Sequence, residues 1–207
     1  SYDIRSVISR EIRTVKFEEE TEYHLLHRIA RSVKDEEAIS GDNFTCTLLP
    51  RGRVLLCLSD GMGSGQRANR ESEMVVELAE QLLAAGFSSE ASVKFINSVM
   101  LLHSQEQHPT TLDFTMVDLY TGACEFVKLG AAPAYVKRMQ GVEVIQDENL
   151  PVGMFGNLNP IALENNLEDG DIIVLVTDGV TDAFAQEGEE SLEEFIRQYQ
   201  GRWRKLY

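Results

Sequence analysis

"FTCTLLPRGRVLLCLSDGMGSGQRANRESEMVVELAEQLLAAG", residues 44 to 86, is the stretch whose reading decides the fold. Two β-prone runs, "FTCTLLP" and "RVLLCLSD", flank Pro50-Arg51-Gly52. Turn residues between such runs predict a hairpin. Beyond the second run the period changes. Met74, Val75, Leu78, Ala79 and Leu82 form one stripe at helical spacing, with Glu73, Glu77 and Glu80 away from it. Gly86 supplies a helix stop. A second helix is predicted over "EASVKFINSVMLLHS", capped by Ser88 or Ser89 and buried along Val93, Ile96 and Met100.

Downstream the chain is β-rich. "TLDFTMVDL" alternates, with Leu112, Phe114 and Met116 on one face. "YTG" turns into "ACEFVKLG"; "PAYVKR", the turn "MQG" and "VEVIQ" predict another hairpin; Ile172 to Val176 reads as a five-residue apolar strand. Upstream, "YHLLHRIARSV" fits either helix or strand, and Ile29, Ala30 and Val33 do not decide between them. Glu18, Glu19, Glu20 and Glu22 read as a solvated face. His24 and His27 are three apart, but with no third ligand nearby they read as ordinary surface or packing histidines. Strands, two consecutive helices, then hairpin-linked strands predict an α+β fold with antiparallel sheets, and argue against a doubly wound parallel sheet.

Composition narrows the function classes. A chain of 207 residues, 43% hydrophobic, is enough for one domain, residues 1–207, with a sizeable core. The net charge of −15 repels nucleic acid and acidic membranes, so neither is expected as a partner. Such a chain binds phosphate where a metal ion supplies positive charge. Cys46, Cys57 and Cys124 contain no CxxC pair, which argues against a zinc ribbon or thioredoxin-like chemistry. A reduced, cytoplasmic setting fits them best. No run of about 18 apolar residues is present to span a membrane, and the start carries no signal-peptide pattern.

The glycines after Asp60 resemble a phosphate cradle, but of neither common kind. A Walker A loop needs a lysine after its glycines, and none follows here. A dinucleotide fingerprint needs GxGxxG in a βαβ unit. The spacing here is Gly61, Gly63, Gly65, with no such unit after it. A better clue is internal. Residues 54 to 61, "VLLCLSDG", and residues 172 to 179, "IIVLVTDG", are each an apolar strand followed by Ser or Thr and Asp-Gly. Each Asp-Gly is either a plain strand-end turn or a rigid mount for a carboxylate. On adjacent strands, Asp60 and Asp178 would meet, and two such carboxylates stay ionised only with a cation between them. Gly61 would let the backbone approach that cation and offer its carbonyl. Oxygen-only ligands suit Mg²⁺ or Mn²⁺. Two further carboxylates join the set. Asp42, in "SGDNF", lies just before the first hairpin strand, and Asp113, in "TLDF", interrupts a β run opposite Leu112 and Phe114. Aspartate is disfavoured inside strands. Asp113 is therefore exposed, paired or near a metal.

"SGDNF", "SDGMGSGQRANRES", "TLDF", "LPVGMF" and "DIIVLVTDGVTDAF" occur here in the order found in bacterial PP2C-type (PPM) serine/threonine phosphatases. The chain resembles this family over residues 30 to 185, above all the branch of the stage II sporulation protein E phosphatase domain. The resemblance implies an α-β-β-α sandwich, two antiparallel sheets flanked by helices. It implies two Mn²⁺ or Mg²⁺ ions, bridged by Asp60, with the Gly61 carbonyl and Asp178 as ligands and Asp42 supporting the second ion. Asp60 and Asp178 are then the catalytic carboxylates, and Asp113 is a candidate further ligand. It also implies that the helices after the "DGMGSG" turn switch the metal site on, with Gly63 and Gly65 as a regulatory loop and hinge. The implied substrate is a phosphorylated anti-anti-sigma factor, whose dephosphorylation releases a sigma factor in sporulation. The implied setting is a cytoplasmic domain of a protein that is membrane-anchored at full length, and a homodimer is compatible with it. The family carries a further metal-binding Asp in a "DDMT"-like motif near its end. This chain has none after Phe184, so its C-terminal end is expected to be incomplete. The alternative is a non-catalytic binding module, a pseudophosphatase without a full metal centre.

Overall fold

The computed structural model describes residues 2–8, 13–31, 40–63, 65–103, 109–156, 158, 160–187 and 191–199, with the backbone alone for 2–8, 13–19, 186 and 187. Strands β1 (Tyr2–Ile8) and β2 (Arg13–Glu19) pair antiparallel as a two-stranded sheet. The described part of the ambiguous upstream stretch, residues 23–31, is neither helix nor strand, and His24 and His27 are exposed there.

The predicted hairpin is β3 (Asp42–Leu49) and β4 (Arg53–Asp60). Two helices follow, α1 (Gln66–Ala84) and α2 (Ser89–His103). Gly86 ends the first with φ 90°, and its backbone N–H returns to the Leu83 carbonyl while that of Phe87 reaches Leu82. This double return is the Schellman closure that glycine makes easy. Ser88 caps the second helix by accepting the Ala91 N–H at 3.2 Å. Then come β5 (Leu112–Asp118), β6 (Ala123–Leu129), β7 (Ala134–Arg138), β8 (Gly141–Ile145), β9 (Leu163–Asn166) and β10 (Ile172–Val174). Helices α3 (Asp178–Glu187) and α4 (Leu192–Gln198) close the described chain. The C-terminal residues 200–207 lie outside the described residues.

The strands form two larger antiparallel sheets, ordered β3-β4-β5-β6-β9 and β10-β7-β8. Side-chain alternation along each strand sorts the apolar residues into layers. Leu55 and Cys57 of β4, with Leu112 and Phe114 of β5, pack under Val75, Ala79, Val93, Ile96 and Met100 of α1 and α2. The opposite face sends Val54, Val117 and Phe126 against Ala134, Val136 and Ile145 of the smaller sheet. That sheet's outer face, through Tyr135 and Val174, meets Phe184 of α3 and Leu192 and Ile196 of α4. The result is the α-β-β-α sandwich; the α2 stripe faces its core as predicted, while on α1 the buried seam runs through Val75, Val76, Ala79 and Leu83, with Met74, Leu78 and Leu82 only partly buried beside it.

One strand is shorter than the sequence predicts. β10 stops at Val174 instead of running to Val176. Its ladder against β7 runs Ile172↔Lys137, Ile173↔Val136, Val174↔Tyr135. Two steps further the partner would be Pro133, which has no N–H to donate, so the pairing ends.

Candidate metal centre

β4 carries Asp60 to the end of the five-stranded sheet. In the register Asp42 stands directly opposite Asp60, so Asp42 is the first residue of its strand rather than a residue before it. The end of β4 is held from its other side by Thr111. The Asp60 N–H donates to Thr111 Oγ1 at 2.7 Å, the Thr111 N–H donates to the Asp60 carbonyl at 2.9 Å, and Ser59 Oγ donates to the Thr111 carbonyl at 2.6 Å. A backbone carrying this many bonds fixes the direction of the side chain it bears.

Asp178 reaches the same place by another route. The expectation of adjacent strands fails, because β4 and β10 belong to different sheets. Asp178 is instead the first residue of α3, a helix start where a carboxylate is favoured. The two layers bring it to Asp60 nonetheless. Burial is the main influence that pushes the Asp60 carboxyl up to about 8, and the charges and hydrogen bonds of Asp42 and then Asp178 push it the same way. Three carboxyls this close repel one another once ionised.

Gly61 continues the strand end, with its N–H on the Gly41 carbonyl at 3.3 Å. A Cβ here would lie 2.1 Å from the Ala68 carbonyl oxygen, so the backbone of α1 passes directly over it. α1 is tied down at the same point. Asn43 Nδ2 donates to the Asn69 carbonyl and to Ser72 Oγ, both at 2.8 Å; Asn69 Nδ2 donates to the Ser40 carbonyl at 2.9 Å; and Ser72 Oγ donates to the Gly41 carbonyl. Gly63 (φ 98°) and Gly65 (φ 86°) connect this clamp to the strand end, both in the left-handed region that favours glycine. No neighbour lies within 4 Å of a Cβ built on either, so conformation rather than space sets the requirement.

Asp113 is paired and buried, not solvent-facing. It stands opposite Lys128 in the β5–β6 register, with Lys128 Nζ 2.6 Å from Oδ2 and the two side chains 1% and 0% exposed. Burial raises its carboxyl to about 6, against the pull of Lys128. Asp60, Asp178, Asp113 and Thr111 line one cavity of about 20 Å³, with Leu58, Gly130 and Val176 among its other walls.

The structure thus brings Asp42, Asp60, Gly61, Asp113 and Asp178 to one end of the sheets. Sequence reasoning missed Thr111, the Asn43–Asn69–Ser72 clamp and Lys128. Only Lys128 left a signal, as a lone cation inside the apolar run "EFVKLG". Among the described residues, no three His, Cys, Asp or Glu side chains converge as a preformed metal cage. The donor chemistry still fits a divalent cation: carboxyl oxygens that repel one another without one, and a backbone approach that a Cβ would block.

A family profile described as stage II sporulation protein E (SpoIIE) matches residues 50–204. Stage II sporulation protein E of Bacillus subtilis (strain 168) is 31% identical over 166 residues, covering 80% of this chain and 20% of the relative. The chain therefore spans about one fifth of that protein's length. The solved structure of the PP2C phosphatase domain and a fragment of the regulatory domain of SpoIIE from Bacillus subtilis superposes with a TM-score of 0.79, at 26% identity, over 94% of this chain and 58% of that one. RsbX in complex with magnesium shares the fold, with a TM-score of 0.60 at 18% identity over 86% of this chain and 79% of that one. The order of motifs, the two-sheet sandwich and these likenesses agree that the chain belongs to the stage II sporulation protein E family and carries its PP2C-type phosphatase domain.

Proposed function

We propose that this chain is a metal-dependent protein serine/threonine phosphatase. The observation that carries the reading is the meeting of Asp42, Asp60 and Asp178 at the sheet ends, with Asp60 raised to about 8 by burial and its two neighbours. Asp60 and the Gly61 carbonyl would hold the first cation and Asp178 would complete its companion, with Asp42 in support. Two Mn²⁺ or Mg²⁺ ions held in this way would neutralise phosphoryl charge and make a water acidic enough to attack.

The remaining roles belong to the chain itself. Thr111 and the Gly41 carbonyl hold the β4 end, so Asp60 does not have to be ordered when a substrate arrives. The Asn43–Asn69–Ser72 clamp ties α1 to the segment carrying Asp42, so a movement of α1 about Gly63 and Gly65 would displace the carboxylates. That arrangement supports the reading of these glycines as a regulatory loop. No cysteine nucleophile is needed, and burial holds Cys57 firmly in its thiol form.

The substrate we infer is a small phosphoserine protein of the anti-anti-sigma class, which rests on the family relationship. With a net charge of −15, the chain must recognise it by shape or by a local basic patch. The test is hydrolysis of p-nitrophenyl phosphate and of a phosphoserine protein with Mn²⁺, with ATP alongside. Turnover of the first two and not of ATP supports the proposal. Turnover of ATP alone points to a nucleotide hydrolase, and binding of the phosphoprotein without turnover points to a non-catalytic module.

A further inference from the structure

Asp113 and Lys128 lie in a largely apolar layer, in which the buried Thr115 shares the face of β5 that carries Asp113. They project from the face of the five-stranded sheet that packs on the smaller sheet, among Val117, Phe126, Ala134 and Val136. A buried ion pair in such a place is seldom the most stable choice, because apolar residues of equal volume serve as well or better. Lys128 has 0% of its side chain exposed and cannot touch a substrate. Its bond goes to one carboxyl oxygen of Asp113, Oδ2. The other, Oδ1, is buried and has no hydrogen-bond partner among the described residues. Leaving a buried acceptor unmade is costly, so it signals a ligand that is not protein.

The surroundings say which ligand. Asp113 lines the cavity of about 20 Å³ that Asp60, Thr111 and Asp178 also line. A single water needs about 10–15 Å³ and two to four polar partners. The cavity meets both conditions. We propose that Asp113, fixed by Lys128, is a positioning residue that seats one water in this cavity, accepting a hydrogen bond at Oδ1 while the water's second hydrogen turns to the Asp60–Asp178 carboxyls. A water whose hydrogens are both held by carboxylates presents its lone pairs in one direction only. Lys128 keeps Asp113 an acceptor by pairing its charge. This inference rests on the phosphatase reading for its purpose, since an oriented water beside Asp60 and Asp178 serves a cation held there.

The test compares the 207-residue chain with the double variant Asp113→Leu/Lys128→Met, which replaces the pair by apolar groups. Calorimetric titration with Mn²⁺, a melting curve, and kcat and KM for p-nitrophenyl phosphate are measured on both. The expected result is a melting temperature close to the original, Mn²⁺ binding weakened roughly tenfold or more, and kcat lowered with KM unchanged. Mn²⁺ affinity and kcat equal to the unmutated chain would overturn the proposal. If the double variant does not fold, a high-resolution crystal structure of the unmutated chain decides. A water within hydrogen-bond distance of Asp113 Oδ1 supports the proposal, and a dry cavity sinks it. An unmutated chain that binds Mn²⁺ without turnover overturns the phosphatase reading alone, and the difference in Mn²⁺ affinity still judges this one. A chain that binds no Mn²⁺ overturns both.

Discussion

The dipeptide Asp-Gly ends an apolar run twice, and the two ends are mounted in different ways. Asp60 closes an eight-residue strand with a partner on each side, β3 and β5. Asp178 follows a three-residue strand at the edge of the smaller sheet, separated from it by Leu175, Val176 and Thr177, and opens a helix. Gly61 lies under the backbone of α1, whereas a Cβ at Gly179 would meet nothing nearer than Thr177 Oγ1 at 4.0 Å. Similar local sequences thus yield one clamped carboxylate and one carried on a helix start. The difference teaches that an Asp-Gly motif specifies a turn and an acid, while the neighbouring strands decide how rigidly the acid is held.

The largest expected effect tests that asymmetry at the chemistry. Asp60→Asn should lower phosphatase kcat about a thousandfold, and Asp178→Asn about a hundredfold, the two ends of the range for removing one preorganised charge partner. Steady-state kinetics with Mn²⁺ measure both; equal losses would mean that the two mounts are equivalent in function.

Packing should show the same contrast. Leu55 of β4 is 0% exposed, and Leu55→Ala is expected to cost about 3 kcal/mol. Val174 of β10 is only partly buried, and Val174→Ala should cost about 1 kcal/mol. Urea unfolding of the two variants checks the ratio, and a larger loss at Val174 would reverse the comparison.

The glycines sharpen it further. Gly61→Ala drives a methyl against the Ala68 carbonyl and should destabilise by about 2 kcal/mol, with Mn²⁺ affinity falling as α1 shifts. Gly179→Ala sits in α3 with open space around it and should stabilise by about 0.5 kcal/mol. The same substitution thus carries opposite signs at the two motifs, and melting curves suffice to read them.

The last effect is a dependence on pH. The Asp60 carboxyl is raised from an ordinary aspartate value to about 8 in the folded chain. Without metal, the folded state then holds a proton that the unfolded state releases, so stability is full below about pH 4 and is lost as pH rises through about 8. In a chelating buffer the melting temperature should fall between pH 5 and 8.5, to an extent screened by solvent because Asp60 is only half-buried. Asp60→Asn should flatten the fall. A variant that retains the full slope would place its origin elsewhere.

Much of the fold was legible because it is written locally. The hairpin at Pro50-Arg51-Gly52, the stripe through Val75 and Ala79, and the stop at Gly86 each depend on residues within one or two turns of chain. The strand Ile172 to Val176 was overestimated because its limit is set by Pro133, about 40 residues away, which a window along the sequence does not contain. The clustering of Asp42 and Asp60 was half legible, since a hairpin fixes its own register. Their meeting with Asp178 was anticipated for a wrong reason, through adjacent strands that the two sheets do not provide.

The sequence by itself determined the β3–β4 hairpin, helices α1 and α2, the α+β class and the acids of the candidate site, because periodicity, turn residues and the chemistry of oxygen ligands act over short range; strands β1, β2 and β9 and helices α3 and α4 carried no such signal. The tertiary structure alone decided that Asp113 is paired with Lys128 rather than exposed, that Thr111 steadies the β4 end, and that Asp178 arrives from a second sheet. Those facts depend on register and on how two layers stack. Burial between layers then changes what the same residues do: an aspartate that the linear reading leaves exposed, paired or near a metal becomes a desolvated acceptor with one oxygen free.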